Sequence, residues 1–335
     1  MGASAVLVAI AVAVASDRDA LETVRVRAFA QVQRLHSIQF SATSRGVYLD
    51  NRGEECIRTS QLRFVCNDLK YRAEARIEDR CRHSVVEMVS AFDGQRYQVF
   101  LPTTRTLGVS TAPHLPNASV DVNPLVLPYG WVHRPGRLIA WETIQNTDAW
   151  REAFADAVWV GTNKDKDNDR VFWLVDFAGL VPDTRNRVWF AEHLDFYPLR
   201  AEGLCADGNK FYTQEVAKYH WDPVQKIVVP LLIVTHHDLS LIQQPIEAPK
   251  RLDTRYEIDV ASVRVNREID QSVFTISPRQ AAVVNDLDVI QRRFRPLGVR
   301  PISNLFRVIL IIANVALIAG ALFIWALRKR RARRT

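Results

Sequence analysis

Catalytic signatures are missing from this chain. No Gly-x-Ser-x-Gly elbow, His-Glu-x-x-His helix, Gly-rich phosphate loop or dinucleotide fingerprint occurs in it, which sets aside the enzyme classes that such motifs mark. Cysteine is scarce: Cys56, Cys66, Cys81 and Cys205 are the only ones, with no Cys-x-x-Cys pair and no zinc spacing. Disulfides in an oxidising compartment are the expectation for them. No fixed-period repeat or low-complexity tract is present either. A real excess of charge is lacking too, because six of the positive charges behind the net +7 belong to Arg328, Lys329, Arg330, Arg331, Arg333 and Arg334, leaving about +1 for everything else. That balance excludes a nucleic-acid surface built on charge.

Two candidate metal features fail on geometry. His236 and His237 are neighbours on a predicted strand, so they point to opposite faces and cannot share one ion. The acidic alternation from Lys164 to Asp169 lacks the Gly and the distal Glu of a calcium loop and reads as a solvated hairpin loop. No catalytic residue, cofactor or metal ligand is assigned.

Long apolar runs are what the chain does have. Leu305 to Leu327 is broken only by Arg307 and Asn314. At about 1.5 Å per residue, a helix of that length crosses a ~30 Å hydrocarbon core, so a transmembrane helix is expected there. Ala5 to Ala15 is too short to span but suits the core of a secretory signal, ending Ala13-Val14-Ala15. No Lys or Arg precedes that run, so the segment is either cleaved after Ala15 or kept as a weak anchor. The resulting layout is a signal segment at 1–15, an extracytoplasmic domain at 16–290, a basic stalk at 291–304, the membrane helix at 305–327 and a basic cytoplasmic tail at 328–335. Within the span, Ala316 and Gly320 form a small-xxx-small pair through which two helices could approach. Asn117-Ala118-Ser119 is a glycosylation sequon only in a host that modifies secreted chains.

Between the ends, periodicity predicts one helix from Asp19 to about Leu35 and a second from Asp148 to about Ala157, capped by Asn146 or Thr147. Nearly all else reads as antiparallel strands: Ser37 to Leu49, Glu55 to Phe64, Leu69 to Glu78, Val85 to Phe92, Gln95 to Leu101, Arg170 to Phe177, Arg187 to Leu194, Leu199 to Leu204, Lys210 to His220, Ile227 to His237, Tyr256 to Val265 and Ser272 to Ile276. Asp93-Gly94 predicts a two-residue type I′ turn. Pro113, Pro116, Pro124, Pro128 and Pro135 make Thr111 to Arg137 a long loop packing across the mouth of the sheet. The expected fold class is α+β: a large curved antiparallel sheet, closed by helices into a half-open barrel, plus one C-terminal transmembrane helix.

If Asn67-Asp68 is a two-residue turn, the register places Cys56 opposite Asp79 and near Cys81, which favours a Cys56–Cys81 disulfide. Cys66 then either pairs with Cys205 or both stay free. Apolar strand surface is abundant, with Ile227 to Val234 nearly continuous and large side chains at Phe172, Trp173, Val188, Trp189 and Phe190. Core packing and a greasy cavity for an acyl chain are both compatible with it.

Three stretches carry a family resemblance. "VASVRVNREIDQSVFTISPRQAAVVND" resembles the closing segment of the LolA-like superfamily of periplasmic lipoprotein-sorting proteins and their relatives, matching at Val265, Asn266, Ile269, Asp270, Phe274, Pro278, Val284 and Asp286. "LETVRVRAFAQVQRLHSIQFSATSRGVY" and "FDGQRYQVFLP" are similar to the family's opening helix and strand and to its Asp-Gly hairpin. The resemblance implies a hydrophobic half-barrel cavity that holds lipid moieties or reads envelope signals. A carrier must shuttle between membranes, whereas the expected helix pins this domain to one. The combined expectation is a non-catalytic, single-pass protein of the bacterial cytoplasmic membrane, its domain in the periplasm, binding a lipid, a lipoprotein acyl chain or another apolar envelope component. A sensor or scaffold with an envelope protein partner is the first alternative, and an anchored enzyme of unrecognised type the second.

Overall fold

Alternation of residue type along each strand builds this molecule. In β1 (Ser37–Leu49), Ile38, Phe40 and Ala42 are buried while Thr43 and Arg45 are exposed, the period-two pattern of a strand covered on one face. The structure, a computed structural model, describes residues 2–50, 53–111, 123–132, 141–165, 169–179, 183–241 and 251–288. Residues 1–285 form one compact unit, and of the second unit, 286–335, only 286–288 are described.

β1 is followed by β2 (Glu55–Asn67), β3 (Lys70–Asp79), β4 (Ser84–Phe92), β5 (Tyr97–Leu101) and β6 (Thr106–Ser110), an antiparallel meander. A second meander comprises β7 (Val158–Lys164), β8 (Val171–Ala178), β9 (Arg185–Ala191), β10 (Tyr197–Leu204), β11 (Lys210–Asp222), β12 (Ile227–Asp238) and β13 (Arg251–Ile258). β13 pairs with β1, which fuses the two meanders into one sheet, and the short β14 (Arg264–Val265) pairs with β1 as well. β15 (Val283–Asp286) adds at the β6 edge, and β7 ends the order on the other side.

Three helices cover one face: α1 (Gly2–Gln33), α2 (Trp141–Ile144) and α3 (Thr147–Ala155). A single core joins Val24, Ala28 and Val32 of α1 to Phe64 and Ala73 of β2 and β3 and also to Val175 of β8. β3 and β8 are eight strand spacings apart, about 38 Å in a flat sheet. One narrow helical layer touches both because the sheet curls around it, which gives the α+β half-open barrel.

The closing segment resembling the LolA-like family is a strap held by its own side chains. Asn266, in a left-handed conformation (φ 50°), accepts from the amides of His36 and Ser37 and donates to Arg34 O. Asp270 and Ser277 cap successive 3-10 turns, and Phe274 and Ile276 are buried beneath the strap. Residues Ser272 to Ile276 therefore do not form the expected strand, since these capping side chains hold the backbone in 3-10 turns.

Two turns also differ from expectation. Asp93-Gly94 does not make a two-residue turn: the Asp93 carboxylate accepts from the amides of Gln95 and Arg96, lengthening the loop to 93–96 before Phe92 and Tyr97 pair. Between β2 and β3 the turn is Asp68-Leu69, because Asp68 takes the left-handed φ of 50° and Asn67 pairs with Lys70. The pairing Arg58–Asp79 then directs Cys56 toward Cys81 itself, and those two cysteines are joined by a disulfide. Cys66 is a buried free thiol and Cys205 a half-buried one, so they are not bonded to each other.

β6 and β7 were not expected as strands, and α1 begins much earlier than Asp19. The second helix is capped by Asn146, whose side chain accepts from the amides of Asp148 and Ala149. No helix among the described residues is long and apolar enough to cross a membrane. The expected span Leu305 to Leu327, with Ala316 and Gly320, lies outside the described residues, as do the stalk, the tail and Asn117.

Candidate functional site

The concave side of the sheet is an aromatic trough with a lid. Phe40, Phe64, Val175, Phe177, Val188 and Phe190, none more than 2% exposed, form its floor. The lid comprises residues 125–132 with α2 and α3, which bring Tyr129, Trp131, Trp141, Trp150 and Phe154 down onto that floor. Trp131 stacks on Phe177 at 4.3 Å between ring centroids and meets Trp150 edge-on at 5.0 Å. Such pairs add about 1 kcal/mol each beyond the area they bury.

Each lid indole has its N–H satisfied. Trp131 donates to Pro128 O and Trp150 to Ile144 O, both within the lid, while Trp141 donates to Asp68 O at 2.6 Å. Glutamine contacts also tie the lid to its surroundings: Gln33 donates to Gln145 at 3.0 Å, and Gln145 to Val32 O at 3.3 Å. The lid's aromatic side chains pack directly on that floor.

In the described state the interior is nearly full. A void of about 20 Å³ lies between α1, the lid and the sheet, lined by Val32, Leu125, Tyr129, Ile144 and Tyr197 among others. That is room for about one water and not for an acyl chain. The buried Tyr197 hydroxyl, which lines it, has no hydrogen-bond partner, and burial raises its pKa well above the ordinary tyrosine value.

α1 is clamped to the trough's rim by charge. Asp195, in the tight turn after β9, accepts from Arg27 and Arg34 of α1, while Gln31 donates to Leu194 O at 2.9 Å. Burial pushes the Asp195 carboxyl up, but the hydrogen bonds from Arg34 and Arg27 outweigh it and hold the group below the usual carboxylate range.

The opposite face of the sheet carries a much larger concavity, a groove of about 1040 Å³. Arg63, Glu74, Arg76 and Glu87 project into it from β2, β3 and β4, with Glu257 and the 259–261 turn at one end and Pro102 at the other. Arg76 and Glu87 pair at 3.7 Å, and Glu74 is bound by Arg72 at 2.8 Å.

The remaining sequence candidates separate. His236 meets Asp253, whereas His237 turns to the other face, its ring 4.6 Å from that of Tyr212. Burial, then the nearby His236, pushes His237 down to about 4. No group of three or more His, Cys, Asp or Glu able to hold a metal occurs among the described residues. Burial pushes the Cys66 thiol far above its ordinary value, so it stays protonated. Trp173 is half-buried at the rim, donating to Glu192 at 2.9 Å and meeting Phe196 edge-on, and Val99 packs on the concave face between Ser90 and Gly108. The sequence reading placed a proline-rich loop across the mouth and a helix from Asp148, but it did not single out Tyr129, Trp131, Trp141 and Trp150 as the side chains that seat them.

No family model and no curated protein matches this chain. Solved structures similar to it include a DUF1329 family protein from Desulfovibrio piger, at 11% identity over 77% of this chain and 96% of that one, with a TM-score of 0.46. Another is a putative outer membrane lipoprotein-sorting protein domain from Vibrio parahaemolyticus, at 10% identity, 76% and 97% coverage and a TM-score of 0.44. A third is a LolA superfamily protein from Nitrosomonas europaea, at 13% identity, 78% and 97% coverage and a TM-score of 0.39.

Proposed function

We propose that this chain is a non-catalytic binding domain, displayed outside the cytoplasm on its C-terminal membrane helix, that receives an acyl chain or other apolar envelope component between the aromatic floor and the lid. The observation that supports this is the way the lid is held. Its aromatic side chains Trp131 and Phe154 lie directly on the aromatic floor, so the cover and the floor meet through apolar surface. An entering hydrocarbon exchanges one apolar contact for another, gaining about 0.8 kcal/mol per buried CH₂ against the aromatic contacts given up. Displacement of such a cover is a familiar gating step. The test is mass spectrometry of organic extracts from the full chain, purified in a lipid-free amphipathic polymer. Retained lipid in stoichiometric amount supports the reading; an empty protein that takes up no fatty acid refutes it.

A second reading is favoured by the groove on the outer face, whose mixed Arg and Glu lining suits a polypeptide better than a hydrocarbon. On that reading the chain is an envelope sensor or scaffold. Arg63→Glu with Glu87→Arg would then abolish a cross-linked protein adduct in native membranes while leaving lipid content unchanged.

A further inference from the structure

We infer that the concave face also carries a head-group site beside the apolar interior, built for an uncharged, hydroxyl-bearing amphiphile of the monoacylglycerol type. The inference rests on the acyl-binding reading above and adds the chemistry of the ligand's polar end. Strand register aligns Val175, Val188, Ala201, Gln214, Thr235, Thr254, Gly46 and Arg58 in a single row across the sheet. The first three are core residues under the lid. The next three switch to hydrogen-bonding side chains, yet Gln214, Thr235 and Thr254 are only 2%, 3% and 8% exposed.

Gln214 accepts from the Tyr212 hydroxyl at 2.6 Å, whereas at Thr235 a valine of the same shape would bury at less cost. Thr235 Oγ1 is buried with no hydrogen-bond partner, a destabilising arrangement that a ligand hydroxyl would relieve. In the neighbouring row the Ser44 and Ser60 hydroxyls lie 2.7 Å apart, extending the strip. Gly46 lets the backbone approach the strip closely: an added methyl there would come 3.2 Å from Thr254 Oγ1.

The strip selects against charge. Arg58, at its end, faces the buried Asp79 carboxylate at 3.6 Å, so the row's cation is already matched. Hydroxyls and an amide both donate and accept, which suits glyceryl or similar hydroxyls rather than a carboxylate or phosphate. An acyl chain lying under the lid thereby has its polar end directed along the row toward Thr235 and Thr254.

The test compares two probes sharing a chain and an ester but differing in two hydroxyls, 1-monododecanoylglycerol and methyl dodecanoate, titrated calorimetrically into the full chain in amphipathic polymer. The site predicts about tenfold tighter binding of the glycerol ester, as expected for one or two net hydrogen bonds. Thr235→Val, which keeps the side chain's shape, erases that preference without weakening methyl dodecanoate, and Ser60→Ala reduces it; a melting temperature of Thr235→Val at or above the native value verifies the fold. Equal binding of both probes by the native chain, or a preference that survives Thr235→Val, overturns the head-group site and leaves acyl binding standing. Binding of neither probe removes the acyl reading and this site with it.

Discussion

Trp131 lies almost parallel to Phe177, 21° between ring planes and 4.3 Å between centroids, so one lid side chain rests flat on the floor of the trough. That contact joins the proline-rich stretch to the C-terminal end of β8. It explains why the interior is closed without a backbone ladder to close it.

Removing a lid anchor should loosen the structure measurably. Trp150 is fully buried and touches Phe29, Tyr129, Trp131 and Phe154. Trp150→Ala is expected to lower unfolding free energy by about 3–5 kcal/mol in urea denaturation, the cost of a large core cavity. Added fatty acid should recover part of that loss, because a ligand that binds only the folded state stabilises it.

The disulfide should matter more than its position near a sheet end implies. Cys56 and Cys81 are separated by 25 residues, and closing a loop of that size is worth about 3 kcal/mol in the chain-entropy account. A thiol reductant is therefore expected to lower the melting temperature of the native chain and to have no effect on Cys56→Ser/Cys81→Ser.

Asp195 links α1 to the rim, and its folded pKa is depressed. A depressed carboxylate contributes fully above the unfolded value, about 3.9, and that contribution disappears as pH falls through the lower folded value. Asp195→Asn should cost about 2 kcal/mol at neutral pH, and should flatten the acid limb of a stability-against-pH curve below about pH 4.

His237 gives a dependence at milder pH. With its folded pKa near 4, it stays neutral where the unfolded chain would protonate. Its stabilisation is complete above the unfolded value of about 6.5 and is lost on acidification from there toward 4, at up to about 1.4 kcal/mol per pH unit. Tyr212, His236 and Asp253 surround it, and His237→Phe, which preserves a ring against Tyr212, should remove that slope when urea midpoints are compared at pH 7 and pH 5.

The meanders were legible because their cause is local. Asp68 in the β2–β3 turn, Asn146 before α3 and the alternation of Ile38, Phe40 and Ala42 each act within a few residues. The strap was misread because Val273 and Phe274 resemble strand residues, while the deciding groups are the capping side chains of Asp270 and Ser277. Asp195 gave no signal at all, since Arg27 and Arg34 lie 168 and 161 residues away. The loop across the mouth was legible from its prolines, but its aromatic anchors were not: what seats Trp131 is the floor on β8 and β9, and no window around its own prolines contains that floor.

Acyl entry beneath the lid is most directly tested by fluorescence quenching with a brominated dodecanoic acid added to the full chain in amphipathic polymer. The account predicts saturable quenching that loses most of its amplitude in Trp131→Phe/Trp150→Phe while probe affinity stays within a few fold. Quenching of undiminished amplitude in that variant, or none in the native chain, would contradict it.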